Sequence, residues 1–504
     1  MDGTIPIVRT RMAGRAEEVL GMRFDVAIVG AGVVGCAIAR ELTRYRLTVA
    51  LCEREVEVGL GTSKANSGII HGGHRAPDGT LKAATEWRGN QLWSDMARDL
   101  PFGFARIGDL TVAFDDDDVA YLQRLLEQGL RRGVTGLEMW DAERLRREEP
   151  NLSEDIVAAL HAPSSGVVNP YEACFALAES AVRNGLELRT ETTVTGIERG
   201  ADGFAITTDR GTLHARFVVN AAGVFGDELA RMVGAEEAGL RFRKGEEYLL
   251  DKRLVGFVTR VTFPCPSPTS KGILVTPTYD GTLMVGPTAT WSEADDLTTT
   301  AAGAEEVFDG ARRLAPGISE RDCIAEFAGV RAVAADEDFA IGHTRVPGFL
   351  NVIGIQSPGL TAAPAIALDV IDLLAEAGLA LEVRDDFVPT IDAPLRFAEL
   401  DPDEQARAVR GDPRFGRIAC RCELVTEGEV LDAIARGART MDGVKFRTRA
   451  GMGRCQGGFC AWRCLRLLAS SQDVDVSAIT KRGGRSWIAL PRRDDHAATE
   501  VEHA

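Results

Sequence analysis

Four cysteines near the end of the chain have the residue type and spacing of a metal-binding set. Cys420 and Cys422 form a C-x-C pair, and Cys455 and Cys460 form a C-x4-C pair in a glycine-rich run. Structural zinc usually takes its thiolates from C-x2-4-C knuckles, which C-x-C matches poorly. Four thiolates on a glycine-lined loop suit an iron–sulfur cluster, whose sulfides accept backbone N–H bonds. The spacing favours such a cluster, with zinc or a vestigial site as the alternatives.

The other cysteines do not suggest ligands. Cys464 follows Cys460 by one helical turn, and we interpret it as a buried helix residue. Ten cysteines in 504 residues are too few for a secreted disulfide scaffold. We interpret the scattered ones as small core residues: Cys36, Cys52, Cys174, Cys265 and Cys323.

A histidine, His71, ends a run of small and polar residues, GTSKANSGIIHGGH at 61–74. Such a run does not suit a core strand. It suits a loop that wraps the polar edge of the ring of a bound ligand. Histidine is the commonest general base because its pKa lies near neutrality. We therefore predict that His71 is a general base, with a structural histidine as the alternative. The residues of this loop that we predict to contact the ligand ring are Thr62, Ser63, Asn66 and Ser67.

Two cations could hold an anionic group. Lys271 opens KGILVTPTYDGTLMVGPTA, which has a strand–turn–strand pattern, and Arg331 ends the apolar stretch of EFAGVRA. Arginine binds a carboxylate or phosphate bidentately, and lysine adds a point charge. Both could instead be surface cations; the apolar neighbours of Arg331 argue against full exposure, and the sequence leaves Lys271 undecided.

The element that must position these groups begins with residues 24–29, FDVAIV, a predicted buried parallel strand. Gly30, Gly32 and Gly35 follow in G-x-G-x-x-G spacing, then a helix and a second strand that ends at Glu53. The glycines allow a tight turn, close approach of a pyrophosphate and close helix–strand packing, while the acid can bind ribose hydroxyls. The pattern predicts dinucleotide binding without choosing between NAD and FAD.

Two further strand-to-helix crossings decide that choice. One is FVVNAAGVFGDELA at 217–230, and the other is FLNVIGIQSPGLTAAPAIALDVIDLL at 349–374, whose helix should begin at about Leu360. That helix could direct its positive end at an anionic flavin position. Three such crossings resemble FAD-dependent oxidoreductases of the D-amino-acid oxidase superfamily. The FAD-binding residues predicted beyond the first turn are Val194, Ala222, Gly223, Gly354, Ser357, Gly359, Leu360 and Thr361.

A narrower resemblance covers roughly residues 23–385. The stretches TSKANSGIIHGG, FRKGEEYLLD, KGILVTPTYDGTLMVGPTA, FAGVRA and SPGLTAAPAI resemble FAD-dependent glycerol-3-phosphate oxidases and dehydrogenases. PSSGVVNPYE at 163–172 also resembles L-2-hydroxyglutarate oxidases. The resemblance implies oxidation of sn-glycerol 3-phosphate to dihydroxyacetone phosphate, with hydride transfer to the flavin.

The same resemblance implies roles for four residues. His71 is the base, Lys271 and Arg331 hold the anionic end of the substrate, and Ser357 lies beside the flavin ring. A 2-hydroxy acid dehydrogenase is an alternative, since Arg331 would also hold a carboxylate. A non-catalytic electron-transfer subunit is a second alternative, against which the presence of all four residues argues.

The cysteine-containing segment 418–469 resembles the BFD-like [2Fe-2S] domain of anaerobic-type glycerol-3-phosphate dehydrogenases, in CRCE, GVKFRTRAGMG and CQGGFC. The resemblance implies that the four predicted ligands hold a [2Fe-2S] cluster. A cluster carries one electron at a time, which suggests a dehydrogenase rather than an oxidase. Electrons would leave through partner subunits, in the resembling family a second flavoprotein and a small iron–sulfur protein, and then reach a quinone.

Charge is unevenly distributed along the chain. The net charge is −17, but residues 414–469 carry +6, so the remainder carries −23. The acidic total argues against nucleic acid as the main partner, while the basic segment indicates a separate module that could dock a partner or offset the cluster's charge. No stretch suits a membrane span, and residues 1–22 lack the apolar core of a signal peptide. We expect a cytoplasmic protein that reaches a membrane only through partners.

These patterns predict an α/β fold: a Rossmann-like FAD-binding domain with an inserted mixed-sheet substrate domain, followed by a small helical iron–sulfur domain. The predicted boundaries follow the chain. They are an extension at 1–22, FAD-binding parts at about 23–85, 160–235 and 336–385, substrate parts at about 86–159 and 236–335, a linker at 386–416, the iron–sulfur domain at 417–470 and a tail at 471–504.

Overall fold

The computed structural model describes residues 23–266 and 272–491. The chain divides into two compact units at Asp392 and Ala393. Within the described ranges, no helix is long and apolar enough to cross a membrane. The predicted extension at 1–22 and the last part of the predicted tail lie outside the described residues.

The first unit contains alternating strands and helices. Its strands are β1 Arg23–Val29, β2 Val49–Cys52, β3 Ile69–Ile70, β4 Phe104–Ala105, β5 Asp109–Ala113, β6 Glu138–Asp141, β7 Ala158–Ala162, β8 Gly166–Val168, β9 Glu187–Arg189, β10 Val194–Gly200, β11 Gly203–Thr208, β12 Gly211–Asn220, β13 Arg241–Leu250, β14 Val261–Pro264, β15 Leu274–Pro277, β16 Leu283–Gly286, β17 Thr290–Ser292, β18 Cys323–Val333, β19 Ala340–His343 and β20 Phe349–Ile353. Its helices are α1 Val33–Leu42, α2 Leu81–Asp99, α3 Asp116–Arg131, α4 Ala142–Glu148, α5 Pro170–Arg183, α6 Gly226–Val233, α7 Ala301–Leu314 and α8 Gly359–Glu376.

The first sheet has a parallel core in which β9, β2, β1, β12 and β20 follow one another. The beginning of β12 pairs instead with β11 of the antiparallel β10–β11–β12 meander. The β1 residues from Val26 to Val29 are buried, as expected for a strand covered on both faces. Helices α1, α5 and α8 pack together on this sheet's strands and on one another.

Register brings the carboxyl ends of three parallel strands to one edge. Val29 of β1 pairs with Asn220 of β12, and Asn220 pairs with Asn351 of β20. Ligands of open parallel sheets bind outside the carboxyl ends of the strands. The three predicted strand-to-helix crossings therefore meet at the edge where a nucleotide would bind.

The second sheet is mixed, in the order β17–β13–β16–β15–β14–β5–β7–β6, with β18 on the other side of β13. Strands β15 and β16 form the antiparallel hairpin that the alternating pattern after Lys271 predicts. A buried cluster that includes Leu250, Val275 and Phe308 packs helix α7 against this sheet. The strands β13 and β18 matter most for the site because they carry the FRKGEEYLLD and FAGVRA motifs.

The second unit is small and mainly helical. Its strands are β21 Ile418–Cys420 and β22 Val425–Thr426, and its helices are α9 Pro402–Gly411, α10 Glu427–Ala435, α11 Met441–Thr448 and α12 Ala461–Gln472. Leu465 and Leu468 of α12 and Val430 of α10 belong to its buried core, which also includes Cys420 and Cys460. Two of the four cysteines predicted to bind metal are therefore part of the core of this unit.

The structure places α9 inside the segment 386–416 that the sequence led us to interpret as a linker. Asp401 accepts a hydrogen bond from the N–H of Glu404, whose side chain accepts from the N–H of Asp401. This capping box starts the helix, and Pro402 occupies the first turn, where its missing N–H is not needed. The predicted fold class itself, α/β with a helical C-terminal region, is confirmed.

Candidate active site

The turn after β1 is crowded enough to require glycine. Gly30 has φ +104°, and a Cβ built on it would overlap the carbonyl oxygen of Ala221 at the end of β12. A Cβ on Gly35 would overlap the carbonyl oxygen of Gly30. Helix, turn and neighbouring strand therefore touch through backbone atoms, as the sequence pattern predicts.

The N-terminus of α1 suits a phosphate group. Its N-cap, Gly32, makes no side-chain cap, and the helix has no acidic residue in its first turn. Ser63 Oγ accepts a hydrogen bond from the N–H of Val33 at 2.9 Å. The first turn of the helix therefore has no acidic side chain of its own that would neutralise its positive end.

Glu53, the predicted ribose ligand, ends the strand next to this turn. Its Oε2 accepts from the N–H of Ala31 at 2.8 Å and its Oε1 from the N–H of Glu55 at 2.9 Å. Burial raises the pKa of the carboxyl, and the two N–H bonds oppose that rise. The carboxylate is held rigidly, and each oxygen keeps a second lone pair that could accept a ribose hydroxyl.

The other predicted FAD contacts lie along the same edge. Gly223 has φ +58° and open space where a side chain would be, and Gly354 has φ +68° at the end of β20. Ala222 precedes the turn into α6, and Val194 begins β10, near Thr192, whose N–H donates to the carbonyl of Glu53. The structure places these residues together at the carboxyl edge, and their contacts with FAD stay predictions.

Loop 61–74 connects this edge to the second sheet. Thr62 Oγ1 donates to the carbonyl of Val330 in β18 at 2.6 Å, and Ser67 Oγ donates to Glu247 Oε1 in β13 at 2.5 Å. Asn66 instead braces the loop, since its side chain donates to the carbonyls of Thr62 and Ser63. The loop is therefore fixed by side-chain hydrogen bonds to β18, which carries the predicted substrate residue Arg331, and to β13 beside it.

His71 meets the beginning of α8. Its backbone N–H donates to Thr361 Oγ1 at 2.9 Å, and its Nε2 lies 3.5 Å from Ser357 Oγ. Trp93 of α2 is fully buried and donates from Nε1 to the carbonyl of Thr361 at 3.1 Å, which fixes that turn. The backbone carbonyl of His71 accepts from the amide of Asn90. The structure thus brings together His71, Ser357 and Thr361, which lie far apart in the sequence.

The N-terminus of α8 suits the flavin end of FAD. The helix begins at Gly359, one residue before the predicted start, with no side-chain cap at Pro358 and no acidic residue in its first turn. Its first turn contains Leu360 and the fully buried Thr361. A helix end of this kind stabilises negative charge on a nearby ring.

Arg331 lies on β18, opposite Arg243 of β13. Its guanidinium occupies the space above Gly245, where a Cβ would be only 2.5 Å from Nη2. Burial lowers the pKa of Arg331, and nearby Glu247 opposes that change. Arg331 is therefore a half-buried cation whose position requires that residue 245 be glycine, which has no side chain. Lys271, the second predicted cation, lies outside the described residues.

Sequence reasoning missed Glu247, which the structure places between Ser67 and Arg331. The carboxyl is buried, and burial raises its pKa to about 7, against the effects of the Ser67 hydrogen bond and of Arg331. A signal was present in FRKGEEYLLD, where two acids interrupt a strand and alternate residues share a face. The resemblance to glycerol-3-phosphate oxidases included this motif but assigned no role to either of its glutamates.

The four predicted cluster ligands approach one another in two pairs. Cys422 Sγ lies 3.5 Å from Cys455 Sγ, and Cys420 interacts with Cys460. Among the described residues, no three or more metal-ligating side chains converge on one ion position. Two thiol pairs suit a [2Fe-2S] cluster, in which each iron takes two cysteines, better than one tetrahedral zinc. Cys464 is buried in the first turn of α12, beside Cys460.

Comparison with protein families matches both units. A family described as FAD dependent oxidoreductase matches residues 25–373, and one described as BFD-like [2Fe-2S] binding domain matches residues 418–470. The predicted cofactors, FAD and a [2Fe-2S] cluster, are thereby confirmed.

Individual relatives have the same organisation. The chain is 44% identical over 469 residues to a glycerol 3-phosphate dehydrogenase of Caloramator mitchellensis, covering 92% of this chain and 98% of that protein. It is 29% identical to one of the subunits of the anaerobic glycerol-3-phosphate dehydrogenase of Escherichia coli K12, covering 88% of each. Among solved structures, the FAD-bound L-alpha-glycerophosphate oxidase of Mycoplasma pneumoniae superposes with a TM-score of 0.71 at 30% identity, covering 74% of this chain and all of that one.

We predict that Gly35→Ala abolishes FAD retention, because its Cβ would overlap the Gly30 carbonyl. The ratio of flavin absorbance to protein absorbance in the purified variant measures this. Gly411→Ala is the control, since its Cβ meets nothing within 4 Å and its φ is not positive. Wild-type flavin content in Gly35→Ala would contradict the assignment of this turn to the pyrophosphate.

We predict that Cys455→Ser loses the cluster, since it breaks one of the two thiol pairs. Iron analysis and the visible spectrum of the cluster should both fall to near background, while FAD content stays at the wild-type level. Cys464→Ser should keep its iron because we do not assign that thiol as a ligand. Full iron in Cys455→Ser, or loss of iron in Cys464→Ser alone, would overturn the ligand assignment.

Proposed function

The chain belongs to the FAD dependent oxidoreductase family, and we propose that it is a dehydrogenase that oxidises sn-glycerol 3-phosphate to dihydroxyacetone phosphate. The observation that carries this proposal is the match to a glycerol 3-phosphate dehydrogenase over 98% of that relative, across both units. The meeting of His71 with Ser357 at the start of α8 supports it, because a base is required there.

Arg331 supplies the first requirement of the reaction, which is to hold the substrate by its anionic end. Its guanidinium is half-buried, and its Nη2 occupies the space above Gly245 on the neighbouring strand. Arginine binds phosphate through two parallel hydrogen bonds, which orient the ligand as well as attract it. We propose that Lys271 adds a second positive charge to this end.

His71 supplies the second requirement, removal of the hydroxyl proton. Loss of hydride from the C2 carbon leaves a ketone only if the oxygen on the same carbon gives up its proton. We propose that His71 Nε2 takes that proton, while the hydroxyl of Ser357, 3.5 Å away, orients the reacting group. The hydrogen bond from the His71 backbone to Thr361 keeps the ring at the start of α8.

FAD, when bound, accepts the hydride. The chain's contribution is to hold substrate and cofactor in one geometry, which is the largest effect available without covalent catalysis. Loop 61–74 does this through its hydrogen bonds to Val330 on β18, the strand that carries Arg331, and to Glu247 on the paired strand β13.

The cluster unit determines where the electrons go. A [2Fe-2S] cluster transfers single electrons, so we propose that it passes them to a partner protein and then to a quinone rather than to oxygen. Similarity to a protein named as one component of an anaerobic dehydrogenase supports a complex of several chains. The partners we propose are a second flavoprotein and a small iron–sulfur protein, and the +6 segment offers them a basic surface.

We predict that anaerobic mixing with glycerol 3-phosphate bleaches the flavin absorbance within one turnover, while L-2-hydroxyglutarate leaves it unchanged. Stopped-flow absorbance of the holoenzyme measures both. Bleaching by L-2-hydroxyglutarate alone would favour the 2-hydroxy acid alternative, since Arg331 could hold a carboxylate as well. No bleaching by either substrate would contradict catalysis of this kind.

We predict that His71→Ala slows flavin reduction by about 10²–10⁴-fold, the usual contribution of a general base. FAD content should not change, because the backbone N–H of His71, not its ring, binds Thr361. The control is His343→Ala, an exposed histidine that pairs with Glu376 at the surface. A wild-type reduction rate in His71→Ala would remove this residue as the base.

A further inference from the structure

Glu247 has a buried oxygen without a partner. The residue is 3% exposed, and its Oε1 accepts the hydrogen bond from Ser67 Oγ. Its Oε2 has no hydrogen-bond partner among the described residues. Leaving a buried polar atom unpaired costs free energy, so such an atom in a substrate site indicates a bonding partner that the ligand supplies.

The surroundings of Glu247 place this oxygen at the anion-binding end of the site. Gly245 lies two residues earlier on the same face of β13, and the guanidinium of Arg331 occupies the space above it. Arg331 also interacts electrostatically with Glu247. The neighbouring end of β16 contributes Gly286, whose Cβ would be 3.2 Å from Glu247 Cγ, and no titratable group.

The remaining charged groups near Glu247 are few. Arg243 lies on the same face of β13, beyond Gly245, and is paired with Glu337. Loop 61–74 presents the Ser67 hydroxyl and, four residues later, His71. Lys271 lies outside the described residues. The carboxyl therefore faces one described cation, Arg331, in a buried setting that disfavours its ionised form, and its pKa is raised to about 7.

We propose that Glu247 is a specificity-determining residue that, as a neutral acid, donates a hydrogen bond from Oε2 to the substrate anion held by Arg331. The proposal rests on the proposed function, because it concerns the phosphate end of the same substrate. An ionised carboxylate in this place would repel a phosphate dianion. A neutral acid instead donates its O–H to the phosphate, and the buried Oε2 thereby gains a hydrogen-bond partner.

This arrangement distinguishes phosphate from carboxylate by the number of oxygens that each group presents. A phosphate ester has three peripheral oxygens: two can take the arginine fork, and the third remains for Glu247. A carboxylate has two oxygens, both of which bond to the fork, so a hydrogen bond from Glu247 would have to share one of them through its second lone pair. Glu247 therefore strengthens binding of a glycerol phosphate and adds little to binding of a 2-hydroxy acid.

The proposal also fixes the direction of a pH effect. The form that binds is the protonated one, so affinity for phosphate is complete below the raised pKa and is lost as the pH rises through about 7. Glu247→Gln keeps an acceptor for Ser67 and a donor for the substrate at every pH. The substrate's own ionisation affects both proteins equally, so the ratio of their affinities isolates Glu247.

The test compares wild type with Glu247→Gln by calorimetric titration of the oxidised holoenzymes with dihydroxyacetone phosphate from pH 6 to pH 8. We expect dissociation constants within twofold of each other at pH 6. At pH 8, one unit above the pKa of about 7, most wild-type Glu247 is ionised and cannot donate. The variant should therefore bind about tenfold more tightly at this pH. The KM for glycerol 3-phosphate should change in the same ratio, with kcat affected less.

A second variant tests specificity without depending on pH. Glu247→Leu removes the donor, and should weaken binding of dihydroxyacetone phosphate at pH 6 by about tenfold, as loss of a hydrogen bond to a charged group does. Binding of 3,4-dihydroxybutanoate, which carries a carboxylate in place of the phosphate, should change less than twofold. Glu326→Gln, an exposed acid on β18, is the matched control, and flavin content checks folding.

The outcomes separate the inference from the proposed function. A ratio that is constant with pH, tighter binding by wild type at pH 8, or equal losses for the phosphate and carboxylate ligands in Glu247→Leu would each overturn the role of Glu247. If wild type binds no dihydroxyacetone phosphate and glycerol 3-phosphate does not bleach its flavin, the proposed function fails and the inference fails with it.

Discussion

The site depends on the close approach of loop 61–74 to strand β18. A Cβ on Gly329 would overlap the carbonyl oxygen of Ala65, so the two backbones touch where any other residue would separate them. The hydrogen bond from Thr62 to Val330 fixes the register of this contact, and Arg331 follows directly. Because His71 lies on the same loop, this contact sets the geometry between the proposed base and the proposed anion ligand. Two sheets with separate cores thereby contribute to one proposed site.

The glycines of FAGVRA and KGEEY illustrate a common requirement of this site. Gly329 admits the loop, and Gly245 admits the guanidinium of Arg331. Gly245 lies on β13, which has paired strands on both sides, and Gly329 lies on β18, which pairs with β13. Glycine inside a strand ordinarily weakens a sheet because it packs no side chain. The stability lost at these positions is offset by neighbours such as Tyr248 and Val330, which are buried on the same two strands. Function, rather than strand propensity, therefore explains the residue choice.

Local patterns were predictable where the chemistry lies within one stretch of chain. The turn at Gly30, the helix start at Gly359 and the β15–β16 hairpin each follow from neighbouring residues. Glu247 could not be predicted in this way, because its raised pKa and its contacts with Ser67 and Arg331 arise only when β13 pairs with β18 and loop 61–74 packs on them. The helix at Pro402–Gly411, inside the predicted linker, has a local signal instead: prolines and acids suggested a linker, whereas Asp401 and Glu404 form a capping box and Pro402 occupies the first turn.

In the second unit, the geometry of the thiol pairs refines the choice between zinc and an iron–sulfur cluster that the cysteine spacing leaves open. C-x-C and C-x4-C spacing made zinc a weaker candidate without excluding it, because four thiolates satisfy either site. The two pairs differ in exposure: Cys420 and Cys460 are buried, whereas Cys422 is exposed and Cys455 partly so. These four residues would hold a cluster that supplies one-electron transfer, with one thiol pair in the core and the other at the surface. Because the rate of electron transfer falls steeply with distance, we expect an electron to leave past the exposed pair, whose sequence neighbours are Arg421 and Arg454.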